Sequence, residues 1–199
     1  YSLEDMFKSK LRPVSEGIAG NLVRAMERVG GKSTLLVGVD GPSGSGKTTI
    51  GVEVGKFVEI RSHKYTIIGL DCLLKEKAWR TVREKLATGE ALTEKDREYL
   101  GDDTESIEPQ KSYYAETDFW YEDRVIALLK EIQEFIESGR ERHTLIINDA
   151  YLRGETPDRG VKTFELEKGM VIMVEGKYAF DQALGNYYDF TYRINDFCW

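Results

Sequence analysis

Residues Gly41 to Thr48 read Gly-Pro-Ser-Gly-Ser-Gly-Lys-Thr, a complete G-x-x-x-x-G-K-[ST] phosphate-binding loop. A triphosphate needs several donors converging on its oxygens. Backbone N–H groups supply them only where the chain wraps closely, and Gly41, Gly44 and Gly46 remove the Cβ atoms that would block the approach. Ser43, Ser45 and Thr49 complete the polar lining of the same turn. Lys47 reaches the terminal phosphates as a point charge. The Thr48 hydroxyl is the expected magnesium ligand, because magnesium keeps several waters and leans on the phosphates themselves.

Such a loop works only between a buried strand and a helix whose N-terminal partial charge faces the phosphates. The apolar run Leu35-Leu36-Val37-Gly38-Val39 supplies the strand, and Ile50, Val54, Phe57 and Val58 mark the helix. An earlier helix is expected over 15–29, with Ile18, Leu22, Met26 and Val29 at helical spacing. Tyr65 to Leu70 reads as a second buried strand, Leu145-Ile146-Ile147 and Met170 to Val174 as two more, and Asp189 to Ile194 as a last one. Glu122 to Ser138 is the clearest helix, with one apolar stripe and Gly139 as its stop. Strands alternating with helices imply an α/β, three-layer sandwich with a mostly parallel central sheet and helices on both faces.

The 199 residues suit a single domain over 1–199, with a charged helical insertion over about 72–115. In that insertion Lys77, Arg80 and Lys85, with Arg83 beside them, read as a solvated helix face, the alternative being a surface for an anionic substrate. A net charge of −7 argues against nucleic acid as the main partner. No apolar run approaches a membrane span, no secretory signal is visible, and the two cysteines, Cys72 and Cys198, read as reduced thiols, so a cytoplasmic protein is expected. His63 and His143 read as surface residues near loops.

Three acids follow strands, where an open parallel sheet places its ligands. Asp71 follows Thr66 to Leu70, Asp149 follows Leu145 to Asn148, and Glu175 follows Met170 to Val174. An Asp in such a place also serves as a helix cap, which leaves two readings for Asp71 and Asp149. An acid leaving a strand as apolar as Met170–Val174 needs a cation or a donor, and in a phosphate-loop enzyme that acid organises magnesium.

Taken in order, these segments resemble the uridine kinase and phosphoribulokinase group of P-loop kinases. Val39-Asp40-Gly41 to Thr49 is similar to the group's phosphate loop, and Ile68-Gly69-Leu70-Asp71 to its second strand. Thr117 to Asp123 resembles its acid-aromatic helix entry, and Thr144 to Tyr151 falls at its substrate-binding strand and loop. Thr163 to Leu166, Val171 to Phe180 and Asp189 to Ile194 resemble its last strands, including a Glu-Gly pair at Glu175-Gly176. The chain departs from the pattern at Asn148, where the group has Tyr, and in its longer stretch before Thr117. The resemblance also places a lid helix where this chain ends at Trp199, so the lid is expected to be absent from these residues.

The resemblance implies ATP and Mg²⁺ as donor and cofactor, Asp71 as catalytic base, Lys47 and Glu175 as further catalytic groups, and Thr48 and Glu175 at the metal. The partner would be a small molecule with a hydroxyl group. Asp149, Tyr151, Arg153 and Arg159 are candidate acceptor-binding residues. The two arginines read equally as solvated turn residues, and Tyr151 as a core aromatic. A nucleoside monophosphate kinase and a P-loop module that binds ATP without transfer remain open. A guanine-specific switch lacks its signature, since the chain has no Asn-Lys-x-Asp segment.

Overall fold

The computed structural model describes residues 3–30, 33–42, 44–100, 119–155, 157–176 and 184–194. Ser43, Thr117, Asp118, Cys198 and Trp199 lie outside the described residues. Helix α1 (Leu3–Arg28) leads to β1 (Leu35–Asp40), α2 (Lys47–Ile60) and β2 (Tyr65–Gly69). A 3-10 turn, Leu70–Leu73, then opens the charged region, which holds α3 (Lys77–Thr88) and α4 (Glu94–Leu100). After it come α5 (Glu122–Ser138), β3 (Arg142–Tyr151), β4 (Arg159–Glu167), β5 (Val171–Glu175) and β6 (Phe190–Arg193).

β1 and β5 are buried at every position because both of their faces are apolar, which is the pattern of central parallel strands. They form the middle of a four-stranded sheet in the order β2-β5-β1-β6, parallel throughout. Alternation along the strands divides the core into two layers. Leu36, Ile172 and Val174 point to one face, where Leu128, Leu129, Ile132 and Phe135 of α5 cover them. Leu35, Val37, Val171 and Met173 point to the other, against Leu22 and Met26 of α1 and Ile50, Val54 and Val58 of α2. Each such side chain contributes about 1.5–3 kcal/mol on burial. The three-layer architecture expected from the sequence is present.

α2 lies close on the sheet because Gly51 and Gly55 face it. A Cβ on Gly51 would stand 2.3 Å from Ile67 Cδ1, and one on Gly55 2.6 Å from the Tyr65 ring. The Tyr65 hydroxyl donates to the Gly51 carbonyl at 2.7 Å and fixes that ring.

Four expectations change. Leu145–Ile147 is not a strand of the parallel sheet: β3 pairs antiparallel with β4 in a separate hairpin. Its exposure alternates, with Leu145 and Ile147 buried and Ile146 52% exposed, so only one face is covered, and such a strand suits a half-buried hairpin. The first helix begins at Leu3 and ends at Arg28, which leaves Val29 outside it and 46% exposed. The basic row on α3 is not a solvated face throughout. Arg83 is 2% exposed, and Lys85 is bonded to Asp96 at 2.6 Å with both side chains largely covered. His143 is held rather than free at a surface, 2.8 Å from Glu131 and stacked on Phe135. Among the described residues no helix is long and apolar enough to cross a membrane.

Candidate active site

The register of the central sheet places three chain segments side by side. Glu175, the last residue of β5, is opposite Val39 of β1 on one side and Gly69 of β2 on the other. Two residues beyond Val39 the phosphate loop begins. Two residues beyond Gly69 stands Asp71, in the 3-10 turn. Gly69 suits its place, since a Cβ there would lie 3.2 Å from Glu175 Oε1.

The loop itself has the shape its glycines predict. Gly44 and Gly46 adopt φ of 77° and 85°, values that L side chains rarely take. A Cβ on Gly41 would meet the Ile194 carbonyl at 2.4 Å, so the backbone just after β6 also requires glycine there. The loop is anchored to that strand by Ile194 N–H donating to the Asp40 carbonyl at 2.7 Å and by Arg193 pairing with the Asp40 carboxylate at 3.0 Å. Lys47 is 8% exposed, and its ammonium donates to the Gly41 and Pro42 carbonyls at 2.7 and 2.6 Å. Thr49 continues the first turn of α2. The Ser45 hydroxyl is buried and has no hydrogen-bond partner among the described residues.

Thr48, on the opposite side of that turn, donates its hydroxyl to Glu175 Oε1 at 3.0 Å. Glu175 is 8% exposed. Burial pushes its carboxyl above the ordinary range, the Thr48 bond opposes this, the charge of Asp71 adds to it, and Lys47 opposes it. A desolvated carboxylate with a single hydroxyl donor has coordinating capacity to spare. Together with the cradle at Gly44 and Gly46 and the orphaned Ser45 hydroxyl, it fits a nucleotide phosphate chain whose magnesium Thr48 and Glu175 would hold. No three His, Cys, Asp or Glu side chains among the described residues gather into a metal site on their own, so such an ion would share its shell with phosphate oxygens and water.

A second group of side chains lies beyond Asp71. Residues 119–121 run back along the segment after the 3-10 turn: Lys75 N–H donates to the Phe119 carbonyl at 2.7 Å, Tyr121 N–H to Leu73 at 3.1 Å, and the Trp120 indole to Leu70 at 3.1 Å. This brings the start of α5 and the hairpin to the same place. Arg124 and Arg159 both donate to the Asp149 carbonyl, at 3.3 and 3.2 Å. Arg124 also bonds the Asn148 carbonyl. Arg80 and Arg159 lie over the Tyr151 ring, 5.1 and 5.8 Å from its centroid. Tyr121 donates to Glu76 at 2.9 Å. Against the burial that would raise it, the Glu76 carboxyl is held below the ordinary range by its own backbone N–H, the Tyr121 hydroxyl, Arg159 and Lys75.

The site residues read from the sequence therefore divide. Lys47, Thr48, Asp71 and Glu175 meet at the ends of the parallel strands, and Tyr151 and Arg159 meet in the second group. Asp149 is not an acid at the end of a parallel strand. It sits in a bulge of β3, with φ of 50°, a side chain 62% exposed and 3.7 Å from Arg124, and a carbonyl that is its main contact. Arg153 is exposed in the hairpin turn and forms no ion pair among the described residues. Arg124, Tyr121 and Glu76 join the second group without having been singled out for it, and Arg80 joins it from the basic row whose alternative reading is a surface for an anionic substrate. Arg124 carried a signal. It is a cation in the first turn of a helix, where the macrodipole disfavours it, so another interaction has to hold it.

No protein-family model matches the chain, and no curated protein matches it in sequence. Solved structures do match in fold. A possible uridine kinase from Bacillus stearothermophilus superposes with a TM-score of 0.51 at 20% identity, over 81% of this chain and 70% of that one. The YGR205w protein superposes with a TM-score of 0.50 at 13% identity, over 83% of this chain and 52% of that one. The chain shares its fold with these proteins, and at these identities the likeness is one of fold alone.

Proposed function

We propose that the chain is an ATP-dependent kinase that transfers a phosphoryl group to a hydroxyl of a small molecule. The observation that carries this is the register at Glu175, which sets the phosphate loop, the Thr48–Glu175 pair and Asp71 along one edge of the sheet. Phosphoryl transfer asks the protein chiefly for positioning and charge. Gly41 to Thr49 would hold the phosphates, and Lys47 would exchange its two carbonyl partners for phosphate oxygens. Thr48 and Glu175 would hold magnesium, which when bound would supply positive charge against the phosphates. Asp71 would hold the acceptor hydroxyl in line and take its proton as the new oxygen–phosphorus bond forms and ADP departs.

A hydroxyl acceptor is favoured over a phosphate acceptor by Asp71. A phosphate oxygen is already ionised and needs no base, whereas an alcohol must lose a proton. The test is ADP release from ATP with magnesium, measured against nucleosides, sugars and small hydroxy acids, with CMP and UMP as phosphate acceptors. Turnover with a hydroxyl compound is expected. Turnover confined to CMP or UMP would make the protein a nucleoside monophosphate kinase, and tight ATP binding with no turnover would make it a binding module.

A further inference from the structure

The guanidinium groups of Arg124 and Arg159 converge on one neutral oxygen, the Asp149 carbonyl. Two like charges so close together are costly unless an anion stands between them. The carboxylates nearby compensate incompletely. Asp149 Oδ2 lies 3.7 Å from Arg124 and Glu76 Oε1 lies 3.6 Å from Arg159, both beyond hydrogen-bond distance. Arg159 Nη2 is buried and makes no hydrogen bond among the described residues. A buried guanidinium N–H without an acceptor is an unmet donor of the kind an oxyanion satisfies, in the fork geometry that arginine provides. Arg80 brings a third cation to the same Tyr151 ring. The chain as a whole carries a net charge of −7, so this local gathering of cations runs against its composition. The charges of Lys162 and Arg124 bear on the Cys72 thiol, and Cys72 follows Asp71 in the chain.

We propose that Arg124 and Arg159 form an oxyanion subsite and that the acceptor carries a phosphate or a carboxylate at the end remote from its reacting hydroxyl. The subsite is independent of the kinase reading; only the statement that its occupant is the acceptor rests on that reading. It favours sugar phosphates and hydroxy acids over neutral nucleosides and sugars.

The test begins with protein saturated with ADP and magnesium, so that the phosphate loop is filled. Inorganic phosphate and acetate are then titrated by calorimetry into the wild type and into Arg124→Gln, Arg159→Gln and Arg159→Lys. One of the two anions is expected to bind, with affinity reduced about tenfold or more in each Gln variant, the size of one charge-assisted hydrogen bond, and less in Arg159→Lys. Which anion binds tells phosphate from carboxylate. ADP affinity, measured alongside, reports that each variant is folded. Absence of binding by both anions, or equal affinity in all four proteins, overturns the subsite. ADP-release assays with glycerol, glycerate and glycerol 3-phosphate separate the two readings. Anion binding without any transfer supports the subsite and counts against the kinase. Transfer to glycerate or glycerol 3-phosphate that is unaffected by Arg159→Gln, or no faster than transfer to glycerol, overturns the subsite and leaves the kinase standing.

Discussion

Thr48 and Glu175 are 127 residues apart in sequence and 3.0 Å apart in space, the hydroxyl of one on the carboxylate of the other. Glu175 is 8% exposed, so this hydroxyl satisfies a carboxylate that water hardly reaches. Thr48→Ala removes the donor and leaves the acceptor, which costs about 1–3 kcal/mol. Urea unfolding without nucleotide should register that loss, and Thr48→Ser should recover most of it. The Ala variant should also lose magnesium-dependent ATP binding. Unchanged stability in Thr48→Ala would mean that Glu175 finds another donor.

Asp71 bears on Glu175 through its charge but has an exposed side chain in a turn outside the phosphate loop. Asp71→Asn keeps the shape of the side chain while removing the proposed base. Turnover should fall about 10²–10⁴-fold, the usual contribution of a general base, while the dissociation constant for ATP stays the same. Single-turnover assays beside equilibrium binding separate the two quantities. A rate left intact would reassign the base.

Gly51 and Gly55 look equivalent in sequence, four residues apart on one face of α2, yet they meet different obstacles. A methyl group on Gly51 would press on Ile67 Cδ1 and Met173 Sδ, both ends of flexible side chains. On Gly55 it would press on the Tyr65 ring, whose hydroxyl is tied to the Gly51 carbonyl. Either substitution gains up to about 1 kcal/mol of helix propensity. Gly51→Ala should therefore be near neutral. Gly55→Ala should be destabilised on balance, since overpacking costs about 1–3 kcal/mol. Thermal unfolding of the two variants orders them, and the reverse order would refute the packing described for α2.

The sequence was legible where one segment carried its own signal. The phosphate loop is a local motif, β1 and β5 are unbroken apolar runs, and the stripe from Val125 to Ile136 has helical period. Glu175 stood out because an acid at the end of so apolar a strand demands a partner. The hairpin was not legible in the same way. Leu145-Ile146-Ile147 looks the same at the level of three residues whether its neighbour is parallel or antiparallel, and its partner β4 mixes Lys162, Thr163 and Glu165 among its apolar residues. The second group of side chains was still further from view. Arg80, Arg124 and Arg159 come from an α-helix, the start of another and a strand, and only the hairpin's position brings them together.

Asp149 keeps a left-handed backbone, φ 50°, so that its carbonyl faces Arg124 and Arg159. Asp and Asn tolerate that region and Gly prefers it, whereas a β-branched residue does not. If the backbone is what matters here, Asp149→Gly and Asp149→Asn should retain acceptor KM and stability, and Asp149→Val should lose about 1 kcal/mol or more. Steady-state kinetics and unfolding on the three variants decide the point. A large KM increase in Asp149→Asn would return the role to the carboxylate.

Cys72 gives a prediction in pH. It is 2% exposed, and burial pushes its thiol up to about 11, with Lys162 and Arg124 opposing and Asp71 adding to the rise. A thiol raised in the folded state contributes stability that is fully present below its ordinary value of 9.0 and is lost as pH rises through about 11. Tyrosines titrate over the same range, so the wild type alone cannot isolate the thiol. The difference between wild type and Cys72→Ala can: the gap in unfolding free energy should narrow between pH 9 and 11 and be constant from pH 6 to 8. Alkylation offers a second reading. At pH 8 iodoacetamide should label Cys72 in the folded protein about a hundredfold more slowly than in urea, because the thiolate is scarce and covered. Mass-spectrometric peptide mapping distinguishes it from Cys198. Fast labelling at pH 8 in the folded state would show that the 3-10 turn bearing Asp71 opens readily, and the proposed base would then have to be ordered by the acceptor itself.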